Sequence, residues 1–361
     1  MKPFTLPRWR FMNCCGHVWG HRPAPQASAE APNGASRRDF VKTAAAGVAG
    51  LAALATLPKS AAAQVRVFPP PPPAVSPIEG LIDFHNHCAP DVFGRAVDDD
   101  EMAQLYMARR MEAVVLKNHV ALTADRAWLV RKHNPGIKAF GGVTLNAAAG
   151  GINPDAVQWM WRMQGGYGRV VWLPTFDADH HVKHFKDAPE GIKVVGADGK
   201  VLPALREVLK ICAQQKLVLC TGHASPTEVL AIVAAARDAG CDRIVVTHAE
   251  FEVVNMSVDQ MKKAAAMGAK MEIDAMGSLM GPSAHLAWMR HWRLVTNKES
   301  AEHVKAVGAE HFVLGTDLGQ TGNPSQPDGY QMLVGGLLAN GVTKEQIKIM
   351  GREVPGKLLM G

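Results

Sequence analysis

Residues 80–87 read GLIDFHNH, a short apolar run that ends in two histidines separated by one residue. The run predicts a buried β-strand, and the histidines fall where that strand stops. Because alternate side chains of a strand share one face, we expect Asp83, His85 and His87 to point the same way. Two imidazoles that converge at a strand end can bind a divalent metal ion, although an isolated pair is equally typical of surface or core histidines.

The chain beyond residue 87 predicts further strands of the same kind. They are residues 113–117, 139–145, 169–173, 217–221, 243–247, 270–274 and 312–316. All are short apolar runs separated by helical patterns, as in parallel strands that are covered on both faces. Eight strands alternating with helices over about 285 residues predict an α/β fold, a single-domain (β/α)₈ barrel. A doubly wound open sheet is the alternative.

One insertion interrupts the alternation after the fourth strand. Residues 176–200 contain His180, His181 and His184, followed by a predicted hairpin at residues 192–201. The hairpin is indicated by its Asp198-Gly199 turn. Long loops at this end of a barrel shape the mouth of an active site, so the insertion is expected to lie there.

The N-terminal region differs in composition from the rest of the chain. The formal net charge is +6, and residues 1–63 carry all of that excess, with eight basic and two acidic residues. The remainder is formally neutral, which gives no support for nucleic-acid binding. Within the leader, Arg37 and Arg38 precede an apolar run of about 15 residues and a small-residue cleavage site at residues 60–63, the order of a secretory signal.

Paired arginines before an apolar run resemble a twin-arginine export signal. We expect residues 1–63 to be a signal peptide that the twin-arginine export machinery recognises, leaving a periplasmic protein without stable membrane insertion. A membrane-spanning helix would need about 20 apolar residues, and an uncleaved anchor is the alternative. Residues 64–78 contain five consecutive prolines and are expected to form a linker, with the folded domain at residues 79–361.

Polar side chains stand at the carboxyl ends of the predicted strands, which form the catalytic face of such a barrel. In chain order they are His85, His87, Lys117, His119, His223, His248, Asp274 and Asp317. Neutral imidazoles and a carboxylate from separate strands would leave a divalent ion Lewis-acidic, with one position open. The sequence therefore predicts a metal site at this end of the barrel.

The motifs around these residues resemble the amidohydrolase superfamily of metal-dependent hydrolases, and most nearly an uncharacterised amidohydrolase-like group. The resemblance spans residues 79–361 and rests on the stretches DFHNH (83–87), TGH (221–223), VTH (246–248) and GTD (315–317). It implies a metal site with zinc as the expected ion, manganese or iron as alternatives, and one or two ions. The implied ligands are His85, His87, His223, His248 and Asp317.

The chain departs from the superfamily pattern at strand four, where two-metal members carry a carboxylated lysine or a glutamate. Residues 172–175 (WLPT) offer neither. Lys117 is a candidate for the bridging role as a carbamate, and hence for metal binding. The alternative is a lysine paired with Asp83 or with a substrate acid. One ion or two therefore stays open.

The candidate catalytic residues are Asp317, His248 and Lys117, since Asp317 can both bind metal and take a proton from water. His119, Asp274 and His181 are the candidate substrate-binding residues. Glu250 is a candidate for orienting His248. Packing at helix faces, rather than ligand binding, is expected of Trp159, Trp161, Trp288 and Trp292.

The predicted activity is hydrolysis of a C–N or C–O bond in a small-molecule amide, lactone or ester. Two alternatives remain open at this point. One is a metal-dependent decarboxylase or lyase on the same barrel, and the other is a periplasmic protein that binds a ligand without turnover. The sequence is also compatible with a homo-oligomer.

Overall fold

The computed structural model describes residues 76–361. Their strands form one parallel sheet in the order of the sequence. The strands are Ile82–Asn86 (β1), Ala113–Leu116 (β2), Lys138–Thr144 (β3), Gly168–Trp172 (β4), Val218–Cys220 (β5), Ile244–Val246 (β6), Lys270–Asp274 (β7) and Phe312–Gly315 (β8). Each lies within a few residues of a predicted strand.

The sheet closes between β8 and β1. The Asp317 N–H donates to the His85 carbonyl over 2.8 Å, and the His87 N–H donates to the Leu318 carbonyl over 3.0 Å. Asn86 and Leu318 also form a parallel bridge. These bonds join the first strand to the segment after the last one, so the predicted (β/α)₈ barrel is confirmed and the open sheet is excluded.

Helices surround the barrel. They are Asp99–Ala108 (α1), Ala124–His133 (α2), Pro154–Trp161 (α3), Asp179–Val182 (α4), Pro203–Gln215 (α5), Pro226–Asp238 (α6), Val258–Ala266 (α7), Asn297–Val307 (α8), Gln326–Ala339 (α9), Lys344–Lys348 (α10) and Val354–Met360 (α11). α6 begins with a capping box, in which Ser225 and Glu228 satisfy each other's backbone N–H groups.

Two apolar layers hold these elements together. Side chains such as Phe84, Val115 and Trp172 fill the inside of the barrel. A larger layer packs the outer faces of the strands against the helices and includes the fully buried Ile78, just before the predicted start of the domain. Burying a large apolar side chain contributes about 1.5–3 kcal/mol, so these layers hold the strand ends in place.

β1 contains a bulge that changes which side chains share a face. Asp83 pairs with Val114 and Asn86 with Leu116, so β1 has one more residue than β2 in this interval. Asp83 therefore hydrogen-bonds Tyr106 of α1, on the helix side of the strand. His85 points into the barrel. The prediction that Asp83 shares a face with both histidines is wrong, because strict alternation ends at the bulge.

The insertion after β4 is less regular than predicted. Its hairpin consists of a single antiparallel bridge between Val195 and Val201, closed around the predicted Asp198-Gly199 turn. α4 lies within the same insertion and carries His181. The predicted signal peptide at residues 1–63 and residues 64–75 of the predicted linker lie outside the described residues.

Within residues 76–361, the structure contains no helix that is both long and apolar enough to cross a membrane.

Candidate metal centre

The carboxyl ends of β1, β6 and β8 bring three histidines to one carboxylate. Asp317 Oδ1 lies 3.3 Å from His85 Nε2 and 3.1 Å from His87 Nε2. Asp317 Oδ2 lies 3.6 Å from His248 Nε2. The histidines are buried, whereas the Asp317 side chain is 13% exposed. His85, His87 and Asp317 are close enough together to hold a metal ion.

Carboxylates behind two of these histidines orient their rings. Glu272 Oε1 lies 3.2 Å from His85 Nδ1, and Asp274 Oδ2 lies 2.9 Å from His248 Nδ1. A carboxylate at Nδ1 favours the tautomer that carries the proton there, which leaves the Nε2 lone pair facing Asp317. This is the usual support for metal-binding histidines.

Asp274 therefore has a different place from the predicted one. Its carboxylate is buried against His248 and does not line the cavity above the site. The predicted substrate contact of Asp274 has no support in this arrangement, and we assign the residue to positioning His248. Alternation along β7 indicated that Glu272 and Asp274 share a face, but which ring each one meets depends on the neighbouring strands.

The backbone at the site adopts a conformation that non-glycine residues seldom take. His248 has φ of 51° and Asp317 has φ of 52°, both in the left-handed region. A left-handed backbone conformation at a non-glycine residue costs about 1–2 kcal/mol of conformational energy, and such residues cluster at functional sites. Asp317 is held in place partly through Thr316, whose N–H donates to Asp83 Oδ1 over 2.9 Å.

Burial determines the charge states at the centre. It lowers the pKa well below the usual value in His85, His87, His223 and His248. These imidazoles are therefore neutral at pH 7, as metal ligands must be. Burial also raises the pKa of Asp317 to about 7. A carboxylate this poorly solvated, surrounded by neutral nitrogen ligands, fits a divalent cation well.

Lys117 lies directly against this centre. Its Nζ is 3.0 Å from His85 Nε2 and 5.7 Å from the centre of the Trp172 ring. Burial lowers the pKa of Lys117, while the carboxylates of Asp317 and its neighbours oppose that shift. As an ammonium, Lys117 donates to the lone pair of His85 that a metal would need. Metal binding through His85 therefore requires Lys117 to move or to lose its proton.

His223 and His181 form a second group at the edge of the centre. Their Nδ1 atoms lie 2.8 Å apart, so one ring donates a hydrogen bond to the other. His223 Nε2 is buried and has no hydrogen-bond partner among the described residues. His119 stacks on His87 and donates to or accepts from Thr175 over 3.0 Å. All the predicted histidines therefore gather at one end of the barrel.

A cavity of about 180 Å³ opens above the centre. From the metal centre, His87, His223, His248 and Asp317 reach its wall, as do the predicted substrate-binding residues His119 and His181. Much of the remaining wall is apolar, contributed by Phe93, Phe176, Phe185, Phe251, Val253, Met280, Leu286, Trp288 and Trp292. The volume is below the range of about 300–1,000 Å³ of pockets that take drug-sized ligands.

The structure corrects two predictions, one about Trp288 and Trp292 and the other about Glu250. Trp288 and Trp292 line the cavity, because the segment after β7 folds over the barrel mouth. Glu250 does not reach His248. Its carboxylate instead accepts from Ser300 over 2.7 Å and lies 2.6 Å from His303 Nδ1.

Replacing Asp274 with Asn should weaken metal binding with little change in shape. The expected loss is about 10- to 100-fold in affinity, because His248 Nδ1 would lose its carboxyl partner. Titration of chelator-treated protein with zinc measures it. E207Q, which changes an exposed carboxylate on α5, is the matched control and should bind zinc normally. Equal affinity for D274N and E207Q would contradict a positioning role for Asp274.

Comparisons with known proteins agree with this fold. Residues 80–272 match the family described as "Family of unknown function (DUF6282)", a segment that covers more than half of the chain and ends before Asp317. A comparison with curated protein sequences gives no match.

Solved structures include similar barrels. Organophosphorus hydrolase from Deinococcus radiodurans aligns with a TM-score of 0.51 and 15% identity, over 78% of this chain and 92% of that one. A second structure is that of a weak promiscuous lactonase template engineered for organophosphate hydrolysis activity. It aligns with a TM-score of 0.51 and 16% identity, over 79% of this chain and 98% of that one. At this identity the likeness establishes the fold.

Proposed function

The chain belongs to DUF6282, a family of unknown function, and from its barrel-mouth centre we propose that it is a metal-dependent hydrolase of small molecules. The observation that carries the proposal is the group of three histidine Nε2 atoms around Asp317, two of them backed by carboxylates. Buried neutral imidazoles and a carboxylate are the donor set of catalytic zinc sites.

His85, His87, His248 and Asp317 would hold the ion, and His223 would complete the set. A divalent ion supplies Lewis acidity, which polarises a scissile carbonyl or phosphoryl oxygen and makes water more acidic. Zinc is the expected ion, with manganese or iron as alternatives. Lys117 is the candidate bridge if two ions are present, as a carbamate formed when its neutral amine reacts with carbon dioxide.

The protein's own groups can carry the proton. Asp317 Oδ2, whose pKa burial raises to about 7, is suited to accept a proton from water and pass it to a leaving group. His248 Nε2 lies 3.6 Å from that oxygen and would bind the same ion. Trp292 and Phe251 cover the site and reduce access of bulk water.

The size of the cavity favours a small substrate. We propose hydrolysis of a C–N or C–O bond in an amide, lactone or ester. The activities for which the similar barrels are named, organophosphate hydrolysis and lactonase activity, add phosphotriesters to the compounds that merit testing.

Metal analysis tests the proposal. Protein purified without chelators should contain about one equivalent or more of zinc, manganese or iron. Metal-loaded protein should then hydrolyse a member of a panel of lactones, amides and phosphotriesters. Far less than one equivalent, with none restored by added metal, would refute the proposal. Release of carbon dioxide without consumption of water would instead identify a decarboxylase.

We also propose that residues 1–63 direct export to the periplasm through the twin-arginine machinery. The support is the Arg37-Arg38 pair ahead of an apolar run. A reporter fused after residue 63 should reach the periplasm, and replacing both arginines with lysine should keep it in the cytoplasm. Export of the lysine variant would refute this route.

A further inference from the structure

We infer that the substrate carries an anionic group, most suitably a carboxylate, on a flat apolar body, and that Arg95 binds the anionic group. This inference rests on the proposed function, because it names the substrate class of that same site. Its basis is a buried arginine in the wall of a cavity that is otherwise lined largely by aromatic and other apolar side chains.

Arg95 is a charged side chain that the fold keeps inside. Its side chain is 4% exposed, yet it lines the cavity together with Asp317 and His87. Asp91, whose side chain is fully buried, accepts a hydrogen bond from Arg95 Nε over 2.8 Å, and the same carboxylate oxygen lies 2.7 Å from Nη2 in an ion pair. A guanidinium has five N–H donors, so four are left after this hydrogen bond.

No other hydrogen bond of the Arg95 guanidinium is found within residues 76–361. The remaining donors belong to Nη1 and Nη2, and Nη2 also lies against the Asp91 carboxylate. A buried charged group with spare donors at a cavity wall is costly unless a ligand or water satisfies it. Carboxylates match the planar donor geometry of a guanidinium particularly well.

The loop that carries Arg95 is held firmly to the barrel. Arg95 forms an antiparallel bridge with Gln320, and the Ala96 N–H donates to the Gly319 carbonyl over 2.8 Å. These contacts attach the loop after β1 to the loop after β8, which also carries Asp317. Arg95 therefore stands at a fixed position beside the metal centre, as a binding group must.

The positive charge of Arg95 acts on His87 of the metal centre. Burial has the largest effect on the pKa of His87 and lowers it, and the positive charge of Arg95 lowers it further. Besides Arg95, the only charged side chain of the described cavity wall is Asp317, which a bound metal would neutralise. An anionic substrate group would then meet an arginine with no competing free carboxylate in the wall.

The aromatic part of the cavity wall favours an apolar body. Phe176 and Phe185 come from the insertion after β4, Phe251 from the loop after β6, and Trp292 from the segment after β7. Arg95 and Gln320 stand together in the loops after β1 and β8. A ligand that satisfies both walls is amphipathic, with its anionic end toward β1 and β8 and its flat face on the aromatic side chains.

Binding of two probes of the same shape tests the inference. Phenylacetate and its neutral isostere phenylacetamide are titrated by calorimetry into zinc-loaded protein and into chelator-treated protein. R95M should weaken phenylacetate binding about 10- to 100-fold in both states, since a charge-assisted pair is lost. Phenylacetamide binding should change less than about threefold, since its amide has no charge to pair. R109M, which removes a surface arginine paired with Asp328, is the matched control and should behave as wild type.

Because R95M leaves Asp91 buried without its partner, the double variant D91N/R95M is measured in parallel and should show the same selective loss. The inference is overturned if phenylacetate binds R95M as well as wild type, or if both probes weaken equally. It is also overturned if phenylacetate binding needs only the zinc. If the inference is overturned but the metal-loaded protein still hydrolyses a substrate, the proposed function stands. If phenylacetate binding depends on Arg95 but the protein neither binds metal nor turns over any substrate, the proposed function alone is overturned.

Discussion

Asp317→Asn is expected to lower kcat/KM by at least about 10³-fold on any substrate that the wild type hydrolyses. Asp317 contacts His85, His87 and His248 through its two oxygens, so the amide would remove the one negative charge shared by all three. It would also remove the only one of these groups suited to accept a proton from water. Steady-state kinetics and metal analysis of the same preparation measure both effects.

The fold of D317N should survive. Burial raises the pKa of Asp317, which means that its charged form is less favourable in the folded, metal-free protein than in the unfolded chain. A neutral amide of the same shape removes that cost, so thermal unfolding of metal-free D317N should occur at the same temperature or higher. D125N, which alters an exposed carboxylate at the start of α2, is the matched control. Retention of more than a tenth of wild-type activity by D317N would exclude the assigned role.

Gly222→Ala is expected to destabilise the protein by about 3 kcal/mol or more. Gly222 has φ of 62°, and a Cβ there would lie 2.4 Å from the Leu173 carbonyl oxygen and 2.3 Å from that of Pro174. Backbone atoms cannot rotate away as a side chain does, so the β5 end would have to shift. His223 would shift with it, because its N–H donates to the Pro174 carbonyl over 2.9 Å. Metal affinity should therefore fall together with stability.

Two glycine variants separate the causes of this effect. G199A places alanine at φ of 76° in open space, so it should show backbone strain alone, about 1–2 kcal/mol. G335A lies inside α9 with open space and ordinary φ, and should stabilise the protein by about 0.5–1 kcal/mol. Denaturant unfolding gives all three values. If G222A lowers the free energy of unfolding no more than G199A does, then the close approach of the residue-222 Cβ to the Leu173 and Pro174 carbonyl oxygens is unimportant.

The barrel and most of the candidate centre could be predicted because both depend on local patterns. Continuous apolar runs mark strands that are covered on both faces, and eight of them alternating with helices leave few arrangements. Parallel strands bring their carboxyl ends to one edge, so residues as distant in sequence as His85, His248 and Asp317 were expected together. In the structure, the Nε2 atoms of His85 and His248 lie 3.3 Å and 3.6 Å from the Asp317 carboxylate oxygens.

The loops above the barrel could not be predicted in the same way. The burial of Arg95 in the cavity wall and the placement of Trp292 over the cavity depend on how long loops pack against one another. Loop residues show no periodicity that would reveal which face they turn inward. A helical pattern near Trp288 and Trp292 indicated packing, and that pattern contains no information about the cavity that the packed segment covers.

The sequence by itself determined the eight alternating strands and the set of polar residues at their carboxyl ends, because these follow from the periods of strand and helix and from chain connectivity. The closure of the sheet between β8 and β1, which excludes the open sheet, came from the tertiary structure. Only the tertiary structure decided how those residues are paired. The bulge in β1 turned Asp83 away from the histidines, and strand register placed Glu272 behind His85 and Asp274 behind His248. Such pairings arise from register and close packing between segments far apart in the chain, which no local pattern records.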